Sequence, residues 1–180
     1  FHEALHEVHT KHLKVVFLKL DFHKAYDTVS WPFLRECLLR KAFDDRWETK
    51  VMQMVSSGRT AVNINGGIDP FFPTFCGVRQ GDPFSLFLFN MVVDALATIL
   101  DKAKAAGHIK GIVPHLVGGN RISLPQYVDD TIIIVEGSTS DITNLKFLLL
   151  CFQQMSVLRI NFDKSEVTVL GYSQDERESR

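Results

Sequence analysis

The sequence predicts an α+β fold, with a small antiparallel sheet and helices packed on one face. Three observations predict it. Short apolar runs of strand length alternate with segments of helical period along the whole chain. Two pairs of those runs are joined by turns of a few residues, too short for a parallel crossover, so their pairing is antiparallel. At 180 residues and 46% hydrophobic, the chain is large enough to bury a core of its own as a single domain over 1–180.

The elements follow in order. Phe1 to Lys11, with Leu5, Val8 and Leu13 among charges, reads as a helix. Val15 to Leu20 is a β-branched and apolar run that ends on Asp21, the pattern of a buried strand with a carboxylate at its exit. Pro32 opens a helix to about Lys41, with Leu34, Cys37 and Leu38 on its inner face. Asp44 caps another, through Trp47, Val51, Met54 and Val55, stopped at Ser56-Ser57-Gly58. Arg59 to Asn65 alternates, turns at Gly66-Gly67 and returns from Phe71 to Cys76 as a hairpin. Asp82 as N-cap, Pro83 at the first helical position and Gly107 as C-cap bound the clearest helix. Ile122 to Val128 and Thr131 to Val135 are apolar strands separated only by Asp129-Asp130. A last helix starts near Ser138 to Asp141 and buries Leu145, Leu148, Leu149, Phe152 and Met155. Val167 to Leu170 is the final strand.

Composition narrows the function. The longest apolar stretch, Phe84 to Leu100, is interrupted by Asn90 and Asp94, which argues against a membrane span. Cys37, Cys76 and Cys151 are scattered without ligand spacing. That usage suits a reducing, intracellular compartment, nucleus or cytoplasm, and neither zinc nor disulfides. The net charge of −1 lacks the basic footprint expected of a whole nucleic-acid-binding protein. A start at Phe1, in what reads as mid-helix, suggests a fragment.

Three constellations carry chemistry. Asp129-Asp130 sets two carboxylates side by side in a hairpin turn, without the glycine that a two-residue turn favours. Aspartate is a common solvated turn residue, but a central hairpin that accepts this repulsion invites a cation. Asp21 ends another buried strand and belongs in the same sheet if the hairpin packs beside it. The bland reading is a helix cap. Three carboxylates from two strand ends suit Mg²⁺, a hard cation that keeps positions free for water and phosphate. Arg79-Gln80-Gly81-Asp82-Pro83 places a cation, an amide and a glycine before a helix N-terminus, where backbone N–H groups favour an anion. Asp82 and Pro83 are explained by the helix start alone; the other three exceed what a cap needs.

These residues carry a resemblance. Leu18-Lys19-Leu20-Asp21-Phe22-His23-Lys24-Ala25-Tyr26-Asp27, Gly77-Val78-Arg79-Gln80-Gly81-Asp82-Pro83, Gln126-Tyr127-Val128-Asp129-Asp130-Thr131 and Asn161-Phe162-Asp163-Lys164-Ser165-Glu166 resemble successive signature blocks of reverse transcriptases. Their wording is similar to that of LINE-type (non-LTR) retrotransposons, especially those of plants, and the similarity runs over essentially the whole chain. It implies a polymerase palm in which Asp21, Asp129 and Asp130 hold two Mg²⁺, with Mn²⁺ as a possible substitute. By the same resemblance, Tyr26 is the aromatic gate that rejects a 2′-hydroxyl, and Phe22 offers its backbone N–H to the triphosphate. Arg79, Gln80 and Gly81 contact the incoming nucleotide and template, and Lys164 protonates pyrophosphate. The implied partners are an RNA template, a DNA primer and dNTPs.

Some positions depart from the family pattern. His23 stands where an acid is common, Val128 where alanine is, Leu86 where proline is and Val157 where glycine is. Fingers are expected before Phe1, thumb after Arg180, and an endonuclease elsewhere; their absence accounts for the near-zero charge. The expected function is therefore RNA-directed DNA polymerase, with a catalytically silent retrotransposon remnant as the alternative. A two-metal phosphodiesterase or nuclease would use the same carboxylates but leaves Tyr26 and Arg79-Gln80-Gly81 unexplained.

Overall fold

The computed structural model of the chain describes residues 15–110, 126–127, 130–136 and 138–171. The helix expected over Phe1 to Lys11, the greater part of the strand expected over Ile122 to Val128, and Asp129 lie outside the described residues. Elements alternate as strands and helices with antiparallel pairing throughout, which is the expected α+β class. The chain divides into two compact units, residues 1–22, 96–152 and 159–180 in the first and residues 23–95 and 153–158 in the second.

The first unit holds a four-stranded antiparallel sheet. It is built from β1 (Val15–Leu20), β6 (Gln126–Tyr127), β7 (Asp130–Glu136) and β8 (Glu166–Leu170), in the order β6-β7-β1-β8. β1 lies centrally, pairing with β7 from Val15 opposite Glu136 to Leu20 opposite Thr131, and with β8 from Val15 opposite Leu170 to Lys19 opposite Glu166. Along β7 the alternation is explicit. Thr131, Ile133 and Val135 are buried while Ile132 and Ile134 are half-buried, as in a sheet with one face well covered. The same unit buries Leu96, Leu100 and Ala103 of α3 (Pro83–Ala105), and Leu145, Leu149 and Phe152 of α4 (Thr139–Ser156). Each leucine or phenylalanine among them contributes roughly 1.5–3 kcal/mol when fully covered. The start of α4 is pinned locally: Ser138 Oγ accepts from the Asp141 N–H at 3.1 Å. The buried Asp141 carboxylate in turn accepts from the Lys110 N–H at 3.0 Å.

The second unit holds α1 (Trp31–Arg40), α2 (Asp45–Ser56), four short strands and the first half of α3. Capping fixes where the helices begin. Ser30 Oγ accepts from the Phe33 N–H at 3.4 Å, and the Asp44 carboxylate from the Trp47 N–H at 2.7 Å. Asp82 accepts from the Phe84 N–H at 2.9 Å, as its place before Pro83 predicts. Leu34, Cys37 and Leu38 line the buried face of α1 as expected, and Arg35 reaches the buried Glu48 of α2 at 2.7 Å. By length and composition α3 is long and apolar enough to cross a membrane, and its Leu88, Phe89, Val92 and Val93 are buried in this unit.

Several details differ from expectation. The hairpin is two short pairs, β2 (Arg59–Thr60) with β5 (Phe72–Pro73) and β3 (Asn63–Ile64) with β4 (Gly67–Ile68). Its turn is Asn65-Gly66 and not Gly66-Gly67. Both central residues have positive φ, 51° and 88°, which asparagine and glycine accept, and Gly67 pairs with Ile64. Met155, expected inside, is 49% exposed, and Met54, on the expected apolar run of its helix, is 55% exposed. Tyr127 pairs with Asp130, so Asp130 opens β7 instead of sharing the turn.

Candidate functional site

Asp21 leaves β1 at the point where its ladders end. Extending the β1–β7 register by one position past Leu20 and Thr131 sets Asp21 across from Asp130. The Asp21 backbone is held on both sides by the loop 161–165. The Asn161 N–H donates to its C=O at 2.8 Å, and its own N–H donates to Ser165 Oγ at 3.2 Å. Its carboxylate, by contrast, has no hydrogen-bond or ion-pair partner among the described residues. Nor does Asp21 cap a helix, since Ser30 does that work for α1.

Two buried polar atoms accompany this end of the sheet. Thr131 Oγ1, fully buried, and Asn161 Oδ1, on a residue 6% exposed, have no hydrogen-bond partner among the described residues. Among the described residues no group of three or more His, Cys, Asp or Glu side chains is assembled. Asp129 lies outside them.

The remaining predicted residues of this unit take distinct positions. Phe22 is buried, pairs with Ile160 as an isolated bridge and packs its ring against Phe152 at 6.3 Å. Its ring is therefore part of the core. Lys164 is exposed in the turn between Asn161 and Ser165, its N–H donating to the Asn161 C=O at 3.2 Å.

The second unit brings Tyr26 and the Arg79-Gln80-Gly81 block together. The Val78 N–H donates to the Tyr26 C=O at 2.7 Å, the Gly77 N–H to the Val29 C=O at 2.8 Å, and Trp31 Nε1 to the Gly77 C=O at 2.7 Å. The half-buried Tyr26 ring stacks on Phe89, centroids 4.9 Å apart. Arg79, Gln80 and Gly81 are exposed, and Gln80 Nε2 donates to Asp27 Oδ1 at 3.1 Å. Asp27, Arg59, Phe75, Cys76, Arg79 and Gln80 are among the residues that line an open cavity of about 1090 Å³.

Asp27 and Ser165 were not singled out from sequence as site residues. The signal for each was its place inside a signature block; its partner, 53 residues away for Asp27 and 144 for Ser165, was not legible.

A family model described as "Reverse transcriptase (RNA-dependent DNA polymerase)" matches residues 2–178. The chain is 26% identical over 160 residues to the retrovirus-related Pol polyprotein of the type-1 retrotransposable element R2 of Popillia japonica. That match covers 87% of this chain and 25% of the polyprotein. It is 28% identical over 175 residues to the transposon TX1 uncharacterized 149 kDa protein of Xenopus laevis, covering 94% of this chain and 12% of that protein. The chain thus spans a quarter or less of the length of these relatives. Its fold is similar to that of a telomerase from Candida tropicalis solved with the TWJ fragment of telomeric RNA. The TM-score is 0.64 at 15% identity, over 93% of this chain and 28% of that one.

Proposed function

The chain belongs to the reverse transcriptase (RNA-dependent DNA polymerase) family, in its non-LTR retrotransposon branch, and from that premise we propose that it is an RNA-directed DNA polymerase palm, joining dNTPs to a primer 3′-hydroxyl on an RNA template. The observation that supports this most is that Asp21 and Asp130 each lie one residue beyond the last β1–β7 pair, Leu20 opposite Thr131, while the Asp21 carboxylate stays unpaired among the described residues. Reverse transcriptases use divalent metal ions. In our reading Asp21, Asp129 and Asp130 hold two Mg²⁺, for which Mn²⁺ substitutes. Such ions, when bound, stabilise charge on the attacking and leaving oxygens of an in-line phosphoryl transfer.

The chain's own residues do the rest. Tyr26, stacked on Phe89, excludes a 2′-hydroxyl by shape. Arg79 and Gln80, which line the cavity, contact the nucleotide and template together with Gly81, and the Phe22 backbone N–H serves the triphosphate. Lys164, exposed and free to move, donates a proton to departing pyrophosphate. Template, primer and nucleotide must be held in line, and fingers and thumb in the same polypeptide supply that grip. The net charge of −1 gives this chain little general attraction for phosphates.

Val157 favours a second reading, a catalytically silent remnant. It follows α4 with φ at +65°, a conformation costly for a β-branched residue and free for the glycine common in the family. One assay separates the two. Extension of a primer on an RNA template is measured for a polypeptide carrying this chain with fingers and thumb, and for the 180-residue chain alone. The former is expected to extend and the latter not. Asp21→Asn and Asp129→Asn are each expected to abolish extension and leave the fold intact. Extension that survives either change refutes the assignment, and a folded, unmodified polypeptide that never extends establishes the silent reading.

A further inference from the structure

Asp21 lies past the last paired residue of β1 in both of its ladders, so something other than sheet pairing must aim it. The β1–β8 ladder ends at Lys19 opposite Glu166 and the β1–β7 ladder at Leu20 opposite Thr131. Beyond those points the loop 161–165 takes over. The Asn161 N–H donates to the Asp21 C=O at 2.8 Å. The Asp21 N–H donates to Ser165 Oγ at 3.2 Å, and the Ser165 hydroxyl donates to the Asn161 C=O at 2.7 Å. Three bonds close a ring through one hydroxyl, which acts as acceptor and donor at once. A hydroxyl has this double capacity and a methyl group has neither half of it.

The turn does not need that hydroxyl. The N–H groups of Lys164 and Ser165 already donate to the Asn161 C=O at 3.2 and 2.9 Å, so backbone bonds close the loop by themselves. What the hydroxyl adds is the link to Asp21, across 144 residues of sequence and at a half-buried position.

We propose that Ser165 is a positioning residue for Asp21, setting the backbone from which the carboxylate reaches a metal ion; this rests on the reading of Asp21 as a metal ligand. Ser165 touches neither metal nor substrate. It acts as outer groups around metal ligands generally act, by removing freedom that the ligand would otherwise lose on binding. Losing such a partner typically weakens metal affinity about 10- to 100-fold.

The test is Mn²⁺ binding to the 180-residue chain, with unbound Mn²⁺ read by its EPR signal and folding checked by circular dichroism. Asp21→Asn is expected to lose the site. Ser165→Ala is expected to weaken it about 10-fold, at a temperature at which the chain remains folded, and Ser165→Thr to restore it. A role confined to stability would move the melting temperature and leave the affinity of the folded chain unchanged. Wild-type affinity in Ser165→Ala, with the site lost in Asp21→Asn, overturns this inference alone. Binding that survives Asp21→Asn, or no binding by the unmodified chain, overturns the reading beneath it. Should alanine unfold the chain, Ser165→Thr and Ser165→Val, alike in shape and differing in the hydroxyl, make the same comparison. Equal affinities there overturn the proposal.

Discussion

Gly77→Ala and Gly81→Ala add the same methyl group to backbone of nearly the same conformation, φ +85° and +81°, in very different surroundings. At Gly77 the new Cβ would meet the Asp27 carbonyl oxygen at 2.7 Å and the Asp27 carbonyl carbon at 3.0 Å; at Gly81 it would meet nothing within 4 Å. Left-handed backbone costs an alanine roughly 1–2 kcal/mol at either site. Restricting the unfolded chain offsets roughly 0.4–1 kcal/mol of that, again at either site. Those two effects cancel in the difference. What remains is the contact at Gly77, where the obstacle is backbone and not the tip of a mobile side chain, so overpacking adds about 1–3 kcal/mol. Gly77→Ala is therefore expected to be about 1–3 kcal/mol less stable than Gly81→Ala in urea denaturation. It should also disturb the neighbouring bonds that hold Tyr26 and Trp31, which run through Val78 and Gly77. Equal costs for the two variants would refute the close approach of residues 27 and 77.

Two further outcomes are expected. In a polymerase-competent polypeptide, Tyr26→Val should admit ribonucleotides while sparing deoxynucleotides, measured as the ratio of kcat/KM for the two substrates; an unchanged ratio makes Tyr26 a packing partner of Phe89 and nothing more. Burial, first among the causes, pushes the Cys37 thiol up from 9.0 to about 11. The folded state thus keeps a proton that the unfolded state releases, and stability present below pH 9.0 is lost as pH rises toward about 11. Denaturation midpoints should fall across that window, less so in Cys37→Ala, and at pH 8 a thiol reagent should label exposed Cys76 well before Cys37.

How much of this was legible in the sequence depended on how local the cause was. β1 was read to the residue because an apolar run of strand length ends abruptly at Asp21. The caps at Asp44 and Asp82 were read because a cap and its N–H lie within three residues of each other. The hairpin turn was misplaced by one residue, since Gly66-Gly67 looks as permissive as Asn65-Gly66 and only the pairing of Ile64 with Gly67 decides. Met54 and Met155 show a different limit. Helical period tells which way an apolar stripe faces, but not how wide a surface covers it. Asp130 was assigned to the turn because two adjacent aspartates look like one unit, whereas Tyr127 pairs with Asp130 in the sheet. The partners of Asp21 and Gln80 were not legible at all, for they join distant blocks.

The proposed site residues differ in how they are held, and the difference bears on what each can do. Asp21 has its backbone bonded on both sides and its carboxylate unpaired among the described residues, so stability and the proposed metal binding fall on different atoms of one residue. Tyr26 is arranged alike, with its C=O bonded to Val78 and its ring braced by Phe89. Such residues can be pre-set before any ligand arrives, which suits a ligand for a cation and a steric gate, both of which work by not moving. Gln80 is the opposite case. It is exposed, and its amide nitrogen already donates to Asp27. To contact a nucleotide through that nitrogen it must share or release the bond, exchanging one carboxylate acceptor for another polar partner. Its net gain is then the difference between two hydrogen bonds, about 1 kcal/mol or less. Gln80 is thus suited to adjusting to what enters the cavity it lines.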